Sequence, residues 1–292
     1  MLLSLTRYLA KQLSGHSLAF SARYLWYLSR NAANQVRLFK ILALPEFADA
    51  AGANPNLLYK YVAGRYLSKG LSMAERASCQ AHHYGFLRAR LGSSLFREIL
   101  RSKVTIFEAR RGESIYSITI KLSEPMFREG EINMDFCVDG DAVFNLSFTV
   151  VPGTVVGSEA ADALLISRIQ GVKGRRAELC LAAKAFYDIS PVALLVAALQ
   201  GFGQAFGIRA LAVVSAKNQC SYSEKNSFSF KKAYDDFMVS IGIPMGKAGF
   251  YLSPIPIQEK PLALVKSNNR LRTKLRRSFK RQVAEEVCSL LC

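Results

Sequence analysis

At 292 residues with 50% apolar composition, the chain can build one large domain or two small ones, which excludes disorder as the default state. Its formal charge of +17 is concentrated towards the ends: residues 1–45 carry six basic groups and residues 260–281 carry nine, with no acid in either stretch. Three histidines and six scattered cysteines, none in a C-x-x-C pair, exclude a zinc site by spacing and fit reduced thiols in a cytosol.

The first ninety residues read as helices. Leu2, Leu5, Leu9 and Leu13 recur at roughly helical spacing, and Arg7 and Lys11 lie four apart on another face. Those two cations interrupt the apolar start, and no convincing small-residue cleavage site follows, so export through a signal peptide is not expected. A second cationic stretch, 23–40, holds Tyr24, Leu25, Trp26, Tyr27 and Leu28. Rings beside cations suit a membrane interface, and they equally suit packing against the body. Ser72-Met-Ala-Glu75 reads as a capping box that opens a helix to about Arg90, carrying His82, His83 and Tyr84.

From residue 103 the period becomes that of strands. Segments 104–109, 114–121, 131–138 and 143–151 are rich in β-branched and aromatic residues, with turn signals such as Arg111-Gly112, Glu129-Gly130 and Asp139-Gly140 between them. An antiparallel meander is expected. A fifth strand, 163–170, leads into Gly171-Val-Lys-Gly174-Arg-Arg176 and a short helical stretch at 176–186. Ser190 then caps a strong helix with Pro191 in its first position and Gly207 at its end. That uncharged stretch is read as a core helix, not a membrane span. A strand at 208–215, a helix at 234–241 and a last strand near 249–253 complete the body.

Ordered motifs spanning roughly residues 55 to 281 resemble the VirK/YbjX family of bacterial proteins. They are Arg65-Tyr-Leu-Ser-Lys-Gly-Leu-Ser-Met-Ala-Glu-Arg76 with His82-His83-Tyr84-x-Phe86-Leu87; Gly171-x-x-Gly174, Ser190-Pro191 and Ala212-Val213-Val214-Ser215; and Tyr234-Asp235-x-Phe237, Leu252-x-Pro254, Lys260-Pro261 and the basic run 269–281. The chain departs from the pattern at Met238, where tryptophan is common, at Ile243 in place of a second glycine, and at Asn218 and Gln219, where a histidine is expected. The resemblance implies a link to bacterial virulence, the envelope and tolerance of host defences, without an established reaction.

The order meander, strand, glycine-containing loop, helix, strand, helix, strand also resembles the GNAT acyltransferase architecture. In that resemblance Arg168, Gly171, Lys173, Gly174, Arg175 and Arg176 would cradle the pyrophosphate of acyl-CoA, with the glycines permitting the turn and the cations adding charge-assisted bonds. Lys173 stands where that motif wants a small residue, and a basic surface turn is the competing reading. His83 is the candidate general base and Tyr234 the candidate general acid; each is also a plausible packing residue on a helix. Asp235 and Asp236 point about 100° apart on a helix and make a poor dyad.

The basic run 274–281 contains a single ring, Phe279, too few for a stacking platform on nucleic acid, so an anionic membrane surface or lipid ranks first as partner and nucleic acid behind it. The expected fold is α+β. A helical N-terminal region (1–95) would pack on a mixed, mainly antiparallel sheet (96–265), and a basic C-terminal tail (266–292) would follow. The expected role is that of a cytosolic accessory protein at the inner face of the bacterial membrane, supporting virulence or envelope functions. An acyltransferase-like enzyme using acyl-CoA or an acyl carrier is the alternative.

Overall fold

The computed structural model describes residues 22, 25, 26, 29–45, 47, 57, 60–62, 65–124, 128–246 and 248–292. The expected helix on Leu2, Leu5, Leu9 and Leu13, with Arg7 and Lys11, lies outside these residues, as do Tyr24, Tyr27 and Leu28.

Helix α1 (Ala32–Leu42) packs against α2 (Met73–Arg90), and α3 (Ser93–Arg101) follows. The start of α2 is set as its sequence dictates. The Ser72 hydroxyl accepts from the Glu75 amide, and the Glu75 carboxylate accepts from the Ser72 amide. Seven strands make one sheet in chain order: β1 (Val104–Arg111), β2 (Ser114–Leu122), β3 (Ile132–Val138), β4 (Asp141–Pro152), β5 (Asp162–Gly171), β6 (Ala210–Val214) and β7 (Phe250–Pro254). All neighbours are antiparallel except β5 and β6. That parallel pair needs a crossover, supplied by α4 (Arg176–Ala185) and α5 (Pro191–Ala205). The expected meander and the mixed sheet are both present.

Two boundaries differ from the sequence reading. Strand β6 begins at Ala210, not 208, because the Ile208 amide closes the end of α5 by donating to the Gly203 carbonyl while Gly207 adopts φ +69°. The helix expected at 234–241 starts earlier: α6 (Ser227–Lys231) runs through a π-helical turn (Lys232–Asp236) into α7 (Phe237–Ser240). A π turn widens the helix locally and re-aims the side chains on it.

One sheet face is apolar and covered by helices. Phe148 meets Phe202 of α5 at 5.2 Å, Tyr116 meets Phe186 at 5.0 Å, and Phe186 stacks on Phe279 at 5.1 Å. Phe279 belongs to α8 (Arg270–Leu291), so the segment expected as a basic tail forms a long helix docked on the body. Phe279, Val283, Val287 and Leu291 recur every four residues and are buried, which is the physical reason this helix packs. The other face carries Ser117 and Thr119, Asn133 and Asp135, and Ser147, with Arg168 at its end. These polar residues bond one another: Ser147 Oγ donates to Asn133 Oδ1 at 2.6 Å, and Lys121 Nζ lies 3.5 Å from Asp135 Oδ2. Burial raises the Asp135 carboxyl above its ordinary value despite that lysine.

Candidate functional site

The site begins with a bulge. Opposite β4, Ser147 pairs with Arg168 but Phe148 pairs with Ile166, so Ser167 is an extra residue in β5. The bulge falls where pairing with β6 ends, at Ile166 opposite Val213. Beyond it β5 runs on to Gly171 without β6 beside it. The Ile169 amide donates instead to Tyr234 Oη at 3.0 Å, so a side chain from the π turn stands in for the missing strand.

A cleft of about 890 Å³ opens at this divergence. Its floor is Ile169, Phe230 and Tyr234, the two rings stacked at 5.8 Å, and its walls include Arg65, Arg128 and Arg168. Glu129 also lines it and is buried. Its Oε1 accepts from Gln219 Nε2 at 2.8 Å and Ser221 Oγ at 2.5 Å, and its Oε2 lies 3.8 Å from Arg168 Nε. Arg168 also donates to Gln170 Oε1. Glu129 therefore fixes one guanidinium and one loop, 219–221, both of which line the cleft.

Two groups of the cleft, Tyr234 and Cys220, keep their protons at neutral pH. Burial raises the Tyr234 phenol well above its ordinary value, more than the Ile169 amide lowers it. Burial, then Glu129, pushes the Cys220 thiol up to about 12. Cys220 is thus an inert thiol and Tyr234 a neutral hydroxyl able to donate. Among the described residues no group of three or more His, Cys, Asp or Glu is arranged to hold a metal.

The residues singled out from sequence divide between this cleft and other places. Arg168, Gly171 and Tyr234 come together around it. Lys173, Gly174, Arg175 and Arg176 do not line it. Gly174 takes φ +86° in a turn closed by the Arg175 amide on the Val172 carbonyl, while Gly171 remains the last residue of β5. Arg175 is engaged by Asp141 and Glu178, which absorbs much of its charge. Arg176 starts α4. His83 lies elsewhere: it is fully buried on the inner face of α2, its Nδ1 accepts from the Val150 amide at 3.1 Å, and burial pushes it down to about 3. It is a neutral imidazole without solvent access.

Arg65, Arg128, Glu129 and Gln219 were not picked out as site residues from sequence. Glu129 reads there as half of a turn signal and Gln219 as a departure from a motif. Only the topology brings them together: the Leu67 amide donates to the Arg128 carbonyl at 2.8 Å, and the Lys69 amide donates to the Asn218 carbonyl at 2.8 Å.

A second, larger groove of about 1220 Å³ runs along α8, beside segment 256–261. Near it α8 and the preceding loop expose Leu264 (64%), Leu271 (72%) and Leu275 (43%). Among the described residues Lys260, Lys266, Arg270 and Lys274 have no carboxylate at ion-pair distance, whereas Arg272 and Arg276 pair with Asp188, and Arg277 and Lys280 with Glu259. No helix among the described residues is long and apolar enough to cross a membrane.

A family model described as a protein of unknown function (DUF535) matches residues 14–289. Neither a curated protein nor a solved structure matches the chain.

Proposed function

The chain belongs to the DUF535 family, and from that premise we propose that it works as a peripheral protein on an anionic membrane surface, the cytosolic face of the bacterial inner membrane. The observation that carries this reading is the juxtaposition of exposed leucines and unpaired cations on 260–275. Leu271 and Leu275 continue outward from the body the four-residue apolar rhythm that α8 buries from Phe279 onward, and Leu264 lies exposed in the turn before the helix. Lys260, Lys266, Arg270 and Lys274 accompany them without acidic partners among the described residues. Four such cations supply roughly 4 kcal/mol at an anionic bilayer, and each leucine that enters the acyl boundary adds about 1.5–3 kcal/mol. An accessory role in envelope or virulence functions accords with the VirK/YbjX motifs.

Sedimentation with vesicles tests this. Binding is expected to vesicles of phosphatidylcholine and phosphatidylglycerol but not to phosphatidylcholine alone, and to fall at least tenfold in Leu264→Ser/Leu271→Ser. Equal partition onto neutral vesicles, or no binding to either, overturns it.

A second reading is favoured by the divergence of β5 from β6. A cleft that opens beside a bulged strand, with a neutral tyrosine hydroxyl at its floor, suits an acyltransferase-like enzyme. An acyl-CoA or acyl carrier thioester would enter beside Gly171. An acceptor amine or hydroxyl would bond to its carbonyl carbon as the C–S bond breaks. Tyr234 would supply a proton to the leaving thiolate, and the acceptor's proton would return to Tyr234. His83 plays no part in this reading. Thiol release from acetyl-CoA or palmitoyl-CoA, abolished in Tyr234→Phe, is its test; no release in the wild type ends it.

A further inference from the structure

The cleft at the β5–β6 divergence has a charge pattern that neither reading uses. Three arginines, Arg65, Arg128 and Arg168, line it from three separate segments. The one carboxylate among its lining residues, Glu129, is already held by Gln219, Ser221 and Arg168. Arg65 and Arg128 are exposed, and among the described residues neither has a carboxylate at ion-pair distance. Like charges lining one cleft without an acid between them are unfavourable unless an anion is brought in.

The backbone enforces that arrangement. The Leu67 amide clips the 65–67 segment to the Arg128 carbonyl, and Leu67 is buried with φ +60°, a conformation that costs a branched side chain energy and persists because its surroundings hold it. Lys69 fastens the other end of the segment, its Nζ donating to the Tyr222 carbonyl at 2.7 Å and lying 5.1 Å from the Tyr222 ring.

We infer that this cleft binds a phosphate-bearing ligand, with Arg65 and Arg128 gripping the phosphate and Arg168, fixed by Glu129, facing it from the strand. Guanidinium forks match phosphate oxygens in pairs. Three cations and one acid leave an excess that suits a phosphate dianion better than a single carboxylate. The stacked Phe230 and Tyr234 rings offer an apolar floor to whatever carries the phosphate, and a volume of about 890 Å³ lies in the range of small-molecule pockets. The inference does not rest on acyl transfer: it sets the phosphate on Arg65 and Arg128, not on the Lys173–Arg176 turn. A soluble phosphate ester and a lipid headgroup share this chemistry.

Calorimetric titration of the full chain with pyrophosphate, coenzyme A and dihexanoyl phosphatidate below its micelle concentration tests it. The proteins compared are the wild type, Arg65→Gln/Arg128→Gln and Lys173→Gln/Arg176→Gln, all surface substitutions whose folding is checked by thermal melts. At least one probe is expected to bind the wild type, to weaken at least tenfold in the first variant and to change less than twofold in the second. Binding of phosphatidate alone assigns a lipid headgroup; binding of pyrophosphate or coenzyme A without phosphatidate assigns a soluble ester. Equal weakening in both variants reveals only general charge attraction and overturns the inference. So does a loss confined to the second variant, which moves the phosphate to the turn, and so does the absence of binding by all three probes.

Discussion

Gly201 of α5 faces Ala284 of α8 so closely that a β-carbon on Gly201 would overlap the Ala284 carbonyl oxygen and lie 3.0 Å from its Cα. The two backbones touch because no side chain separates them. Through this contact the basic C-terminal segment becomes part of the core.

Gly201→Ala is therefore expected to force α8 away from α5. Overpacking of this kind costs about 1–3 kcal/mol, and here the clash is with backbone, so the upper end is expected. The midpoint of urea unfolding should fall while the slope stays constant. An unchanged midpoint would show that α8 can slide without loss.

His83 supplies a pH dependence. Its folded value of about 3 lies below the ordinary histidine value, chiefly through burial. The unfolded chain thus binds a proton that the folded chain refuses, and this stability is present above about pH 6.5 and lost as pH falls towards 3. The loss is about 1.4 kcal/mol per pH unit within that window. His83→Asn can keep an acceptor for the Val150 amide while removing the titration, so it should flatten the stability profile between pH 6 and 4. Parallel profiles for the two proteins would contradict the assignment.

Lys60 and Glu131 form an ion pair beneath α2 with side chains 1% and 0% exposed, and the Glu131 carboxylate also accepts from Tyr66 and Tyr84, each at 2.5 Å. Lys60→Met leaves that charge buried with only neutral donors. A loss on the order of 3 kcal/mol is expected, since removing one partner of a buried pair exposes the full desolvation cost of the other. Thermal melts at pH 7 measure it; a change below about 1 kcal/mol would show that the pair adds little to the fold.

Tyr234→Phe removes the acceptor of the Ile169 amide at the point where β5 has lost its neighbour. Stability should fall by about 1–3 kcal/mol, the cost of an unsatisfied buried donor. Amide exchange at Ile169 should accelerate more than at Leu165, which lies within the paired part of β5. Uniform acceleration along the strand would point to global loosening instead.

The elements that the sequence made legible are those governed by local rules. The Ser72–Glu75 box, the Ser190-Pro191 start and the Asp139-Gly140 turn, with φ +51° and +89°, each need only a few adjacent residues. The site was legible only in part. Arg168, Gly171 and Tyr234 stood out by residue type and order, but Arg65 and Arg128 are ordinary surface arginines until the Leu67–Arg128 hydrogen bond joins their segments. Ser167 carries no sign in sequence of being the bulge residue, because a bulge is a mismatch between two strands and not a property of one. The docking of α8 went unread because its charges dominate the composition, although Phe279, Val283, Val287 and Leu291 keep a four-residue rhythm beneath them.

The parallel pairing of β5 with β6 sets when the cleft exists. Glu129 and Gln219 are 90 residues apart and Ile169 and Tyr234 are 65 apart, so each contact closes a long loop, and such contacts form late because the entropy of closure must be met first. A chain emerging from the ribosome has no complete cleft until it has been made past Tyr234, the last residue that lines it. Any molecule that settles there binds the finished fold alone and stabilises all of it at once, by about 2.7 kcal/mol at a hundredfold excess over its dissociation constant. A rise in melting temperature across a panel of candidate compounds would therefore report occupancy of the cleft before any reaction is known.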